Sequence, residues 1–275
     1  MTAAKSNIGA INFYTRRNFI VQKIEVEDVI LTKTLKRIVA IHQPNLFPWL
    51  GFFDKINKSD CFIILDHVIN RPNDSIYTKR VTILNNNLPY WLTIPLLKPK
   101  GIEFMKIKDM KINLEDKFSI KHLKTIEHTY KKAKYYDEII PLIYNFYNSK
   151  SEYISIRNLD FIFIICNKLN IKTRFYYSSE LDSKLNATDL LIDLTLKING
   201  NVYLAGGGAE GYQINQMFEN SSLGLVYQKF SNPIYNQLKS SDFITGLSII
   251  DNLMNIGFEG TKELLDNEII KFNHI

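Results

Sequence analysis

The chain has 275 residues, of which 45% are hydrophobic and 23% charged, and a formal net charge of +6. That length buries a sizeable core, as one large domain or a domain with a smaller lobe, and the composition is that of a folded globular chain. The basic excess is mostly Lys spread along the chain, and the aromatic residues sit inside apolar runs rather than among arginines on one face, so nucleic acid is not an expected partner.

The two cysteines, Cys61 and Cys166, both lie in apolar runs. They form neither a disulfide framework nor a metal cluster and read as buried thiols of a reducing compartment. No apolar run reaches transmembrane length, and residues 1–37 lack the apolar stretch of a secretion signal. The expectation is a cytoplasmic protein without a membrane span.

Residues 1–37 are polar until "NFIVQKIEVEDVIL", which alternates enough for an extra strand, and read as an extension or arm. A single α/β domain is expected over 38–275. "RIVAIHQP" is a short apolar run closed by a turn, the pattern of a buried strand. "PWLGFFDKINKSD" has apolar residues near helical spacing, and "CFIILDHV" is a second continuous apolar strand of the kind buried in a parallel sheet. Together they predict a βαβ unit with a right-handed crossover.

"KRVTILNNNLPYWLTIPLL" predicts a hairpin turning at 85–87. A helical insert is expected over about 114–170. Within it Pro141 is placed at the start of a helix, where proline is tolerated, and "YISIRNLDFIFIICNKLNI" is a strongly apolar helix. "KTRFYYSSEL" is a strand. "NATDLLIDLTLKING" is a helix with Thr188 as its N-cap and Gly200 as its stop. "NVYLAGGGAEGYQINQMFEN" reads strand, glycine loop, helix; "GLVYQKF" is a further strand and "TGLSIIDNLMNIGF" a last helix. The fold class is α/β, with a mostly parallel, Rossmann-like sheet, a helical insert and a hairpin.

In such sheets ligands bind at the carboxyl ends of the strands. His42 and Gln43 end the first core strand, and Asp66 and His67 end the second. Pro44 and Pro48 stiffen the loop after His42. A rigid loop carrying a titratable group suits catalysis or ligand orientation; the plainer reading is that His42 caps the strand and Trp49 fills a core gap. "GGGAEG", 206–211, matches G-x-G-x-x-G between a strand and a helix. No acid follows at the ribose-binding spacing, in "QKFSNP", so a dinucleotide fold is rejected. A phosphate or carboxylate cradle made by backbone N–H groups and a tight packing turn both remain open.

Arg71, Lys79 and Arg80 flank Tyr77 and suit either a diphosphate or a solvated loop. Asp54 and Asp66 are candidate acid/base groups, Asp66 the better placed beside His67. His122 and His128 lie six apart, with no zinc-ligand spacing, and no serine occupies a nucleophile elbow. Asp251 sits in an apolar helix and is expected to be a buried partner of Arg or His.

"IVAIHQPNLFPWLGFFDKINKSDCFIILD" resembles the opening signature of the WbqC-like family. The resemblance continues through "YWLTIPL", "NVYLAGGGAEGY", "VYQKFSNPIYNQL" and "LSIIDNLMNIG". Where that family usually carries Asn-Arg-Asn before the hairpin, this chain has Lys79-Arg80-Val81 and keeps only the arginine. The resemblance implies a role in building bacterial surface polysaccharide (O-antigen). One activity it suggests is acyl or aminoacyl (glycyl) transfer to the amino group of a deoxyamino sugar.

The strand–His–Pro loop–helix layout is also that of nucleotidyl-transferring enzymes of the HIGH type, without their second histidine. Adenylate chemistry with ATP and acyl transfer without it both stay open. The expected partners are a nucleotide-linked amino sugar and an acyl or amino-acid donor.

In this reading His42 is the general base or transition-state donor, with Asp66 and His67 supporting proton transfer. Gln43, Asn45, Trp49, Tyr77 and Tyr212 contact substrate, while Arg80 and the loop Gly206, Gly207 and Gly208 hold phosphate. The alternative is a non-catalytic sugar-nucleotide-binding or scaffold protein of an assembly complex.

Overall fold

The computed structural model describes residues 2–4, 19–24, 28–33, 36–70, 76–98, 101, 104–207, 215–238 and 242–273. The chain divides into two compact units, 1–37 and 38–275. In the first, β1 (Thr2–Ala4) and β2 (Phe19–Ile24) each pair antiparallel with β3 (Asp28–Lys33). The single extra strand expected in this segment is therefore two strands of a three-stranded sheet.

The second unit is built on five parallel strands: β4 (Ile38–His42), β5 (Cys61–Ile64), β10 (Arg174–Tyr177), β11 (Val202–Ala205) and β12 (Gly224–Tyr227). Their order is β10-β5-β4-β11-β12, with every pairing parallel. From β4 the chain steps outward through β5 to β10, then crosses back to β11 and β12 on the other side. The order reverses between β4 and β11, and that reversal is where an open α/β sheet leaves a crevice.

Both faces of the sheet are covered at its centre, which is why β4 before His42, β5 and β11 are continuously apolar, while the edge strands β10 and β12 are only partly buried. Ala40, Phe62, Ile64 and Leu204 face one cluster with Phe53 and Ile56 of α1 (Leu50–Asn57). Val39, Ile41, Ile63 and Tyr203 face the other, against Leu190 and Leu194 of a helix over Ala187–Lys197 and Phe218 of one over Asn215–Asn220.

After β5 come the two-residue strand β6 (Ile69–Asn70) and the short helix α2 (Ile76–Lys79). A hairpin of β7 (Arg80–Asn85) and β8 (Leu88–Thr93) follows. Its two-residue turn has Asn86 and Asn87 at φ 50° and 62°, the geometry that fits strand twist and that Asn tolerates. β9 (Met105–Lys106) pairs with β6. The helical insert consists of α3 (Phe118–Tyr130), α4 (Tyr136–Tyr147) and α5 (Ile154–Lys168). The helices over Ala187–Lys197 and Asn215–Asn220 are α6 and α7, and α8 spans Ile249–Asn273 with a break at Gly257.

Two local expectations are corrected. Pro141 lies inside α4 rather than at its start; as the sixth residue it lacks the N–H that would donate to Asp137 O, and it is exposed. The N-cap of α6 is Asn186, in extended backbone, while Thr188 is buried within the first turn. Its stop is set by Asn199, which takes the left-handed conformation at φ 57°. Gly200 is required by space instead: a Cβ there would lie 2.4 Å from a Val39 methyl carbon.

Candidate active site

The loop after β4 is held by hydrogen bonds from three distant elements. Asn158 on α5 donates from Nδ2 to Pro44 O at 2.9 Å and to Thr78 O at 2.8 Å. Leu46 N donates to Tyr77 O at 2.8 Å. At the start of α8, Ser248 Oγ donates to Phe47 O and Ile249 N to Pro48 O, each at 2.8 Å. Phe47 itself is left-handed at φ 38°, a conformation a bulky residue keeps only when its surroundings demand it. Its ring is buried against Phe146 and Phe161. The two prolines stiffen this loop, but packing and these bonds fix its path.

Within that frame His42 is half-buried at the end of β4. Its Nδ1 lies 3.0 Å from Gln43 O. A carbonyl only accepts, so Nδ1 carries the hydrogen and Nε2 keeps a free lone pair. Burial, with the nearby Lys55 charge, pushes the imidazole down to about 4, so His42 is neutral near pH 7. The ring stands edge-on to Phe52, with centroids 5.1 Å apart. A neutral imidazole with a defined tautomer is the form that accepts a proton.

Beside it lies a group the sequence reading passed over. Lys55, on α1, is 4% exposed, and its ammonium donates to Ile41 O at 2.9 Å. A Cβ placed on Gly206 would come 4.0 Å from Lys55 Nζ and, among the described residues beyond its chain neighbours, meet nothing else that close. His42, Lys55 and Gly206 thus converge where β4 and β11 end. Gly206 is half-buried and Gly207 exposed, while Gly208 and Tyr212 lie outside the described residues.

The second strand end is organised differently. Asp66 accepts from Ser178 Oγ and Ser179 N at 2.9 Å each, and from Ser179 Oγ at 2.8 Å. Its carboxylate ties β5 to the turn after β10 and meets His67 only through Ser178. With the Ser178 hydrogen committed to Asp66, His67 Nδ1, 2.6 Å from Ser178 Oγ, is the donor there. Burial lowers the His67 pKa, opposed by Asp66 and reinforced by Lys106 and Lys108. Ser178 stands 112 residues from Asp66, and no local spacing announces it.

Other candidates have tasks inside the fold. Trp49 lies against Gly51, where a Cβ would meet the indole at 2.4 Å, and packs edge-on to Phe230. Asn45 is buried in the loop and Gln43 half-buried. Arg80 sets its guanidinium 3.9 Å over the Trp91 ring, a cation–π stack, with Tyr77 exposed alongside Trp91. Arg71 is outside the described residues.

Asp54 is interior: its Oδ2 receives Lys58 Nζ at 2.9 Å and Gln228 Nε2 at 2.6 Å. Burial raises its pKa, and Lys58 and Gln228 oppose the rise. Asp251 is buried as expected, but its partners are Tyr130, Tyr235 and Gln237, at 2.8, 2.7 and 3.1 Å, rather than Arg or His. His122 bonds Tyr147 Oη at 2.9 Å. No group of metal-ligating side chains occurs among the described residues.

A cavity of about 470 Å³ lies between α4 and α5, lined by Phe146, Arg157, Asp160 and Phe161 among others. None of its lining comes from the loops after β4 or β11. Arg157 on its wall donates from Nε to Ser151 O and from Nη1 to Phe146 O and Tyr147 O. The strand-end groups and this cavity are therefore separate features of the domain.

At the reversal of its doubly wound parallel sheet this α/β domain carries a neutral histidine and a buried lysine. The chain belongs to the WbqC-like protein family, whose model matches residues 43–263. It is also similar to "Uncharacterized protein Rv1507c" of Mycobacterium tuberculosis (strain ATCC 25618 / H37Rv). The two are 29% identical over 233 residues, which cover 82% of this chain and 96% of that protein. No solved structure matches. Among the described residues no helix is long and apolar enough to cross a membrane.

Proposed function

We propose that the chain is an enzyme of bacterial surface-polysaccharide sugar biosynthesis. In this reading it transfers an acyl or aminoacyl (glycyl) group to the amino group of a nucleotide-linked deoxyamino sugar. The observation that carries the reading is His42: uncharged and fixed through Nδ1 at the end of β4, which leaves Nε2 as its proton-accepting atom. The sugar amine attacks the acyl carbon, a C–N bond forms, and the donor's leaving group departs with the electron pair of the broken bond. Nε2 takes the proton the amine must lose and returns it to the leaving group or to water. Backbone N–H groups at the glycine loop hold the nucleotide's phosphate. His67, with its tautomer fixed through Ser178, is the second proton acceptor of the same edge.

The test is mass spectrometry for an added acyl mass on an amino-sugar nucleotide, given glycine or an acyl thioester, with and without ATP. His42→Ala removes the base and an edge contact with Phe52, not a core side chain. It should cost about 1 kcal/mol of stability and lower turnover by about 10² to 10⁴. Unchanged turnover in His42→Ala would take His42 out of the mechanism. No product with any donor, together with retained nucleotide-sugar binding, would leave the protein a binding or scaffold component.

A further inference from the structure

On the β5 side of β4 the pairing runs to the last residue, His42 opposite Ile64. On the β11 side it stops at Ala40 opposite Leu204, although β11 itself remains paired with β12 as far as Ala205 and Tyr227. One seam of the sheet therefore opens early, and it is the seam at which the strand order reverses. The carbonyl of Ile41, free of a strand partner on that side, accepts from Lys55 Nζ at 2.9 Å. The ammonium occupies the place where the next rung of the ladder would be.

An ammonium has three hydrogens to donate, and among the described residues Ile41 O is the hydrogen-bond acceptor this one reaches. No carboxylate among them pairs with it. The charged and titratable groups around it are accounted for. Asp54, on the same helix, is bound to Lys58 and Gln228. Glu268, on α8, lies 3.9 Å from Lys58. His42 on β4 is neutral, and Tyr203 on β11 presents its ring 6.0 Å away. Burying a cation without a counter-ion is costly. The cost is visible as a pKa pushed down to about 8 by burial alone. A Cβ on Gly206 would lie 4.0 Å from the ammonium, and the glycine places no side chain there.

We infer that the opened β4–β11 seam is an anion subsite, in which the Lys55 ammonium is the counter-charge for the diphosphate of a bound nucleotide, with the Gly206–Gly207 backbone beside it. Lysine serves phosphate as a point charge, and a glycine turn after a strand leaves its N–H groups open to anions. The inference deepens the reading of a nucleotide-linked substrate, but the site stands on the seam and the lysine, whatever group is transferred.

Binding should then follow the charge state of Lys55. The cation is present below about pH 8 and lost above it, so affinity for a diphosphate without a proton equilibrium in that range should weaken by up to about tenfold per pH unit above pH 8. The experiment is calorimetric titration of the full chain and of Lys55→Met with UDP-N-acetylglucosamine, ATP, inorganic pyrophosphate and acetate.

The expected result is binding of at least one diphosphate by the parent, weakened at pH 9 relative to pH 7. Lys55→Met should stay folded and lose that binding by tenfold or more, with a flat pH response. UDP-N-acetylglucosamine against ATP tells whether a sugar nucleotide or a nucleoside triphosphate supplies the diphosphate. Equal affinity of Lys55→Met and parent, no diphosphate bound by the parent, or acetate bound as tightly as pyrophosphate would each overturn the assignment. Acyl-transfer activity is read separately, so loss of one result leaves the other standing.

Discussion

Replacing Lys55 by Met should make the free protein more stable at neutral pH, an unusual outcome for a buried position. The side chains are close in length, so packing is largely kept. The lysine pKa falls from 10.5 to about 8 on folding, which at about 1.4 kcal/mol per unit means the buried charge costs on the order of 3 kcal/mol. Removing it also removes the hydrogen bond to Ile41 O, a loss of about 1 kcal/mol. The net expectation at pH 7 is a gain of about 2 kcal/mol.

The sign reverses with pH. Between about 8 and 10.5 the unfolded chain holds a proton that the folded one has released, so the parent gains stability as pH rises through that window. By pH 10 the variant should have lost its advantage. Urea unfolding of both proteins at pH 7 and pH 10 measures this, and tyrosine ionisation at the higher pH, common to both, cancels in the comparison. A variant less stable than the parent at pH 7, or a difference that ignores pH, would refute a buried uncompensated ammonium.

Two further outcomes follow from groups around the loop. Asp251→Ala leaves the hydroxyls of Tyr130 and Tyr235 and the Gln237 amide without their shared acceptor, and should cost about 3 kcal/mol in denaturant unfolding; a loss under about 1 kcal/mol would mean these groups find other partners. Because burial holds His42 down to about 4, the limb of kcat/KM that reports this base should stay level from pH 7 to about 5 and fall only below that; a midpoint near 6.5 would show a solvated imidazole.

The sequence by itself determined the sheet and the edge at which its strand-end polar residues lie. Unbroken apolar runs such as "IVAI" and "CFIIL" have no polar side to offer water, so they had to be strands covered on both faces. The residues that end them, His42 and Asp66, were thereby placed on one edge. The glycines after "VYLA" marked the second loop on that edge, and the paired asparagines marked the hairpin turn. These are local properties, written in side-chain period and in the few residues that accept unusual backbone angles.

Tertiary structure alone decided what each polar group does. Asp66 meets Ser178 and Ser179 more than a hundred positions away, and Asn158, one polar residue in an apolar helix, turns out to hold the loop after His42. Asp251 found tyrosines where a cation was expected. Lys55 stands near the end of a short helix, and its burial along with Phe53, Asp54 and Ile56 is visible only in the folded chain. Its role depends on β4 parting from β11 one rung early, and that parting is a relation between strands some 160 residues apart that no local pattern encodes.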